Sequence, residues 1–239
     1  MPRKKKYASR VEEATEAIRN KILDLTLPPG KPINMRWLAA DLGLGRTPSR
    51  EALNRLAAEG LVHIEANQSA MVRALDLDEI NQLMEALRIA ERISALYCQF
   101  GDPELLDDVA DMQGRQRRAV QEHRYLEASY WNAAFRSRIA ATSRNWHLIE
   151  FHRRVANQAR RLSCMIYAKE AQDNTYYQKQ IGMLEGIHAD LREALTRQDR
   201  ERLIEVLESH VAIFKRRIAW TLEQPVNALT SLRQGPWAW

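Results

Sequence analysis

The chain has 239 residues, 45% of them hydrophobic and 28% charged, with a formal net charge of +5. That suits one large or two modest domains, each with a real core. Two distant cysteines, Cys98 and Cys164, argue against a disulfide framework or a zinc spacing. No apolar run reaches the roughly 18 residues of a membrane span, and no signal-peptide pattern opens the chain, so no membrane partner and a cytoplasmic location are expected.

The basic excess is local. Residues 1–74 hold 13 Lys and Arg against 8 Asp and Glu, and the remainder holds 23 of each. This is the footprint of a nucleic-acid-binding segment joined to a neutral domain with another job.

In chain order, residues 1–8 with Pro2-Arg3-Lys4-Lys5-Lys6 read as a disordered basic tail that adds nonspecific phosphate attraction. A short amphipathic helix follows, with Ile33, Trp37, Leu38 and Leu42 as its apolar set. Leu42-Gly43-Leu44-Gly45 turns the chain. A second helix opens at Thr47-Pro48, with Thr as N-cap and Pro at the first helical position. Leu53, Leu56 and Ala57 recur at helical spacing. Arg46 and Arg50 sit at the positive end of that helix, a poor choice for stability alone. It is a good choice where the end abuts phosphates and base edges. The alternative for two helices and a turn is an ordinary hairpin with a solvated basic end. The next segment shifts the balance: Leu61–Glu65 and Ala70–Arg73 predict two short strands around a turn. Together these elements describe a winged helix-turn-helix.

The rest reads as helices. Asp76 and Glu79 form a capping pair. Ile80, Leu83, Met84, Leu87 and Ala90 make the stripe of a helix reaching about Phe100, which Gly101-Asp102-Pro103 stops. Further helices are predicted at about 103–122, 124–141, 145–168, 176–197 and 199–222, with Asp199 as an N-cap. Residues 169–175 read as a loop or as more helix. The predicted fold class is mainly α: an N-terminal winged helix-turn-helix with a small β-hairpin wing over 1–74, then an all-α antiparallel bundle over 75–224, and a tail over 225–239. Trp37 is expected inside the first domain, and Trp131 and Trp146 in the core or a pocket wall. Trp237 and Trp239 are expected either to dock on the body or a partner subunit, or to fray.

Gly45-Arg46-Thr47-Pro48-Ser49-Arg50-Glu51-Ala52-Leu53 and Arg55-Leu56-Ala57-Ala58-Glu59-Gly60-Leu61-Val62 resemble the signature of the GntR family of bacterial transcription regulators. Leu27-Pro28-Pro29-Gly30 falls where that family turns after its first helix. The resemblance implies that Arg36, Arg46, Thr47 and Arg50 contact double-stranded DNA. Gln68 and Ser69 stand at the wing tip, where the family usually has Arg-Gly, and Met35 stands where it usually has an acid.

The second part resembles the FCD effector domain of the FadR-like subfamily, through Tyr130–Arg136, Ile139–Asn145, Glu185-Gly186-Ile187-His188, Ala194-Leu195, Asp199 and His210. The resemblance implies a divalent metal held by an Asp-x-x-x-His helix and two later histidines, beside a small carboxylate. This chain supplies His188 and His210 but has Asn132 and Arg136 in place of Asp and His. Arg cannot ligate, and its charge repels a metal. The metal site is therefore expected to be lost, no cofactor is expected, and Arg136 is expected to bind a carboxylate directly. Asn132, His188, His210 and Arg88 complete the expected effector set. Arg88 stands beside Leu87, where the family often has Arg, a rotation of about 100° away. The alternative is that Arg136 pairs with a buried acid such as Glu91 and that the histidines are core residues. His147, Arg160 and Arg161 are further candidates.

The expected function is a non-enzymatic, sequence-specific DNA-binding regulator, a repressor on family grounds. It would act as a homodimer on a pseudo-palindromic operator, controlled by a small anionic metabolite. The rivals are a DNA-architectural or scaffold protein with an empty pocket, and a metal-dependent enzyme using His188 and His210.

Overall fold

The computed structural model describes residues 2–65, 69–74 and 76–223, with side chains from residue 10 onward. The chain divides into two compact units, one up to Ile80 and one from Asn81.

The first unit contains α1 (Pro2–Leu23), α2 (Met35–Leu42), α3 (Arg46–Ala58), β1 (Val62–Ile64) and β2 (Ala70–Val72). Ala14, Ile18 and Ile22 recur every four residues on α1. They share a core with Leu38, Ala52, Leu53, Leu56, Leu61, Val62, Ala70 and Val72. Arg19 grips Glu59 through three bonds of 2.8, 3.0 and 3.3 Å, fixing α1 to the end of α3. The wing strands pair antiparallel, with Val62 opposite Val72 and Ile64 opposite Ala70. Residues 30–33 run beside β2: Gly30 N–H donates to Val72 O, Val72 N–H to Lys31 O and Ile33 N–H to Ala70 O. Gly30 has φ +72°, a conformation that disfavours a side chain.

Two expectations are corrected here. Residues 2–8 continue α1 rather than forming a disordered tail. Pro2 occupies the first helical position, and Lys and Arg are good helix formers. Helix α3 begins one residue before Thr47, with Gly45 as its N-cap. Pro48 is therefore the third helical residue, which is tolerated because first-turn N–H groups have no intrahelical acceptor.

The second unit is a six-helix bundle: α4 (Leu77–Leu96), α5 (Leu105–Gln121), α6 (Tyr125–Ala141), α7 (Trp146–Glu170), α8 (Asn174–Thr196) and α9 (Arg200–Glu223). The predicted caps form. Asp76 Oδ1 accepts from Glu79 N (2.8 Å), and Asp199 Oδ1 from Arg202 N (2.9 Å). Asp173 caps α8 in the same way, so residues 171–173 are a connection. Helix α4 ends four residues earlier than predicted. The Arg200 guanidinium donates to the carbonyls of Ala95 (2.9 Å) and Cys98 (3.1 Å), satisfying acceptors that a longer helix would have used. Helices α5 and α8 end in Schellman turns with His123 and Gln198 at φ +57° and +56°. Arg124 N–H reaches back to Ala119 O, and Asp199 N–H to Ala194 O. The main core joins Ala95, Val109, Phe135, Ile139, Leu191 and Leu207. Trp37 packs partly buried in the first unit as expected, and Trp131 is half-buried. Trp146 is 67% exposed rather than in a wall. Trp237 and Trp239 lie outside the described residues.

Candidate nucleic-acid interface and buried polar cluster

Helix α2 is positioned by Asn34, whose Oδ1 accepts from the N–H groups of Arg36 (2.8 Å) and Trp37 (3.4 Å). Ile33 and Leu38 bracket this cap within the core, as a hydrophobic staple does. Gly43 then turns the chain in the left-handed region, with its N–H on Leu38 O. This directs α3 so that Arg46, Thr47 and Arg50 face the same groove as Arg36 of α2 and Ser69 of the wing. The groove measures about 1300 Å³.

Its electrostatics favour an anion. Arg36, Arg46 and Arg50 are exposed, and among the described residues none makes an ion pair. Helix α3 has no acid in its first turn and no side-chain cap. The positive end of its dipole is therefore open to a phosphate. Ser69 Oγ donates to Glu65 (2.9 Å), and Gln68 lies outside the described residues. Asn54 lines the groove too and was missed in the sequence. Its position four residues after Arg50 was the available signal, and Asn suits adenine edges.

In the second unit, Asn132 and Arg136 of α6, His188 of α8 and His210 of α9 are buried together. Arg136 Nε donates to the Asn132 carbonyl (3.0 Å), and Nη1 lies 3.2 Å from His210 Nδ1. Glu91 Oε1 stands 3.5 Å from Arg136 Nε and 3.3 Å from His152 Nε2. The rings of His188 and His210 stack at 6.1 Å, and Phe135 presents to both edge-on. Glu91 is thus the counter-charge of Arg136, as the alternative reading holds, and His152 is a member the sequence did not single out. Among the described residues, no group of three His, Cys, Asp or Glu could hold a metal.

Burial pushes the Glu91 carboxyl up, but Arg136 and then His152 outweigh it and hold its pKa below the usual value. Burial, then Arg192, Arg136 and Arg117, depress His188 to about 3. Burial, then Arg136, His188 and Arg217, depress His210 well below its ordinary value. Both imidazoles are neutral near pH 7.

Arg88 does not join this cluster. It is exposed and shares Glu208 with Arg92, at 3.4 and 3.0 Å. Leu87 takes the inward position, as the one-residue helical rotation requires. His147 is exposed. Arg160 and Arg161 are buried, with the Arg160 guanidinium 5.4 Å from the Tyr130 ring centre. A second buried pair was illegible in the sequence: Arg217 holds Glu170 through bonds of 2.8 and 2.7 Å, against the Tyr167 ring.

Residues 10–72 match the family described as bacterial regulatory proteins, gntR family. The chain is 40% identical over 83 residues to an HTH-type transcriptional regulator from the TAR-I ttuE-ttuC' intergenic region of Agrobacterium vitis, covering 34% of this chain and 48% of that protein. It is 28% identical over 151 residues to an HTH-type regulator in an unstable DNA locus of Streptomyces ambofaciens, covering 61% and 62%. The chain thus spans about half the length of the curated relatives it matches. The fold resembles that of E. coli McbR/YncC, with a TM-score of 0.68, 20% identity and coverage of 90% and 98%. Residues 10–72 thus carry a helix-turn-helix segment of the kind found in gntR-family regulatory proteins, and an all-helical domain follows it.

Proposed function

We propose that the protein is a sequence-specific, ligand-controlled transcription regulator, a repressor of the FadR-like subfamily. The observation that carries the reading is a groove at the N-terminus of α3, which has no side-chain cap, lined by three exposed guanidinium groups that make no ion pair among the described residues. Two subunits present two such helices to half-sites of a pseudo-palindrome, since protein symmetry is mirrored in the operator. Arg46 and Arg50 read guanine edges or brace phosphates, Arg36 and Thr47 hold the register, and the wing tip at Gln68 and Ser69 lies against the backbone. A small anion bound in the helical domain shifts DNA affinity by binding one domain arrangement more tightly than another.

Selection of sites from random duplex DNA tests this. Enrichment of a two-fold symmetric site, lost in Arg50→Ala, is the expected result. Weak, salt-sensitive binding without enrichment would instead support a DNA-architectural protein. One observation favours that second reading: the charge of Arg136 is already offset by Glu91 at 3.5 Å.

A further inference from the structure

A cavity of about 190 Å³ lies between α5 and α8, lined by Gln116, Val120, Ile181, Leu184, His188 and Arg192, with Arg117 and Glu185 also on its wall. It is smaller than the roughly 300 Å³ and larger pockets that take drug-sized ligands, and amounts to about six waters' worth of liquid. His188 faces two ways: one ring face stacks on His210 within the buried cluster, yet the residue also lines this cavity.

Two deeply buried polar atoms here lack partners. His188 is 8% exposed, and its Nε2 makes no hydrogen bond. Gln116 is 2% exposed. Its amide donates to the Tyr167 hydroxyl (3.0 Å), which leaves its Oε1 without a donor. A buried polar atom left unpaired costs about 1–3 kcal/mol, so each is a place for a ligand group. Charge gives the sign of that ligand. Arg117 faces Glu185 at 3.7 Å, and these two offset each other. Arg192 hydrogen-bonds the neutral Gln113 side chain, and among the described residues it has no acidic partner. The wall therefore carries one uncompensated positive charge. The central cluster carries none, because Glu91 already offsets Arg136. Beside the polar groups on the same two helices stand Val120, Ile181 and Leu184, an apolar bed for a compact hydrocarbon body.

We infer that this side cavity, rather than the Arg136 cluster, binds the effector, and that the effector is a small hydroxycarboxylate monoanion with a compact apolar body. The carboxylate sits between Arg192 and His188 Nε2–H, the hydroxyl donates to Gln116 Oε1, and the body lies on Val120, Ile181 and Leu184. The inference rests on the ligand-controlled reading proposed above.

Calorimetric titration of the full chain with mandelate, phenylacetate and mandelamide tests it. The three share a phenyl body, and the latter two lack respectively the hydroxyl and the charge. Mandelate is expected to bind about tenfold more tightly than either, as one well-made polar contact at a buried site allows. In Gln116→Leu the gap between mandelate and phenylacetate closes. In Arg192→Gln the gap between mandelate and mandelamide closes. The His188 ring resonances move with mandelate in the unmodified protein, a readout that survives if a variant fails to fold. Equal binding of all three probes, no binding at millimolar concentration, or binding that leaves His188 unmoved would overturn the inference. The selected operator separates the two ideas. A DNA affinity that ignores mandelate bound at His188 sinks ligand control but leaves the site standing. A DNA affinity that responds to mandelate with His188 unmoved sinks the site and leaves ligand control standing.

Discussion

In the first unit Arg36, Arg46 and Arg50 stand exposed, and among the described residues none of them makes an ion pair. In the second, Arg136 and Arg217 lie buried against Glu91 and Glu170. An exposed guanidinium adds little to stability and is available to a partner. A buried pair is committed to the fold, because removing either member strands the other in a low-dielectric interior. The same side chain is thus left available to a partner in one region and committed to packing in the other, and what surrounds it decides which.

The largest expected effect comes from breaking the buried arrangement. Glu170→Ala is expected to destabilise the helical unit by about 3–5 kcal/mol in denaturant unfolding, since Arg217 then has no counter-charge. A loss under about 1 kcal/mol would show that water reaches the pair.

Acid tests the same region. His188 is depressed in the fold relative to an ordinary value of 6.5, and its stability contribution is complete above that value. Below it the unfolded chain takes up a proton that the folded one refuses, and stability falls until pH nears 3. At pH 5 this amounts to about 2 kcal/mol from His188. His210 shifts in the same direction and adds to the loss. His188→Asn is expected to flatten a melting profile taken between pH 7 and pH 5.

Arg50→Ala inverts the pattern. Operator affinity is expected to fall by about 1–3 kcal/mol, while unfolding moves by no more than about 0.5 kcal/mol. Equal losses in both assays would mean that Arg50 belongs to the fold.

The smallest effect concerns turns. The first unit places Gly30, Gly43 and Gly60 at positive φ together with Leu25, whereas the second uses His123, Arg144 and Gln198. Gly43→Ala is expected to cost about 1–2 kcal/mol through backbone strain alone, because no neighbour lies within 4 Å of an added Cβ. Gln198→Gly is expected to gain a few tenths of a kcal/mol, because relief at positive φ is nearly cancelled by unfolded-chain entropy. Thermal melts of the two variants check the contrast.

The winged helix-turn-helix was legible because its determinants are local. The glycine turn and the apolar spacing of Leu53 and Leu56 act within a few residues, and so do the Asp76 and Asp199 caps of the second unit. Start positions slipped where one residue type fits several places: Pro48 is equally at home in any first-turn position. The buried pairs were a different matter. Arg217 and Glu170 are 47 residues apart, and nothing near either marks it as inward. His152 likewise meets Glu91 across 61 residues. Periodicity places a residue on a face of a helix but does not say what the face meets. Arg88 was expected in the effector set, and the one-residue offset from Leu87 is what turns it outward instead.

The three hydrogen bonds between residues 30–33 and β2 have a kinetic consequence. They splice the lead-in to α2 onto a wing whose own strands are three residues each. The wing therefore cannot swing away from the helix carrying Arg36 without opening all three at once. In amide hydrogen exchange, the Gly30, Ile33 and Val72 protons should be released together as a single opening unit, with the wing and the start of α2 kept in one register.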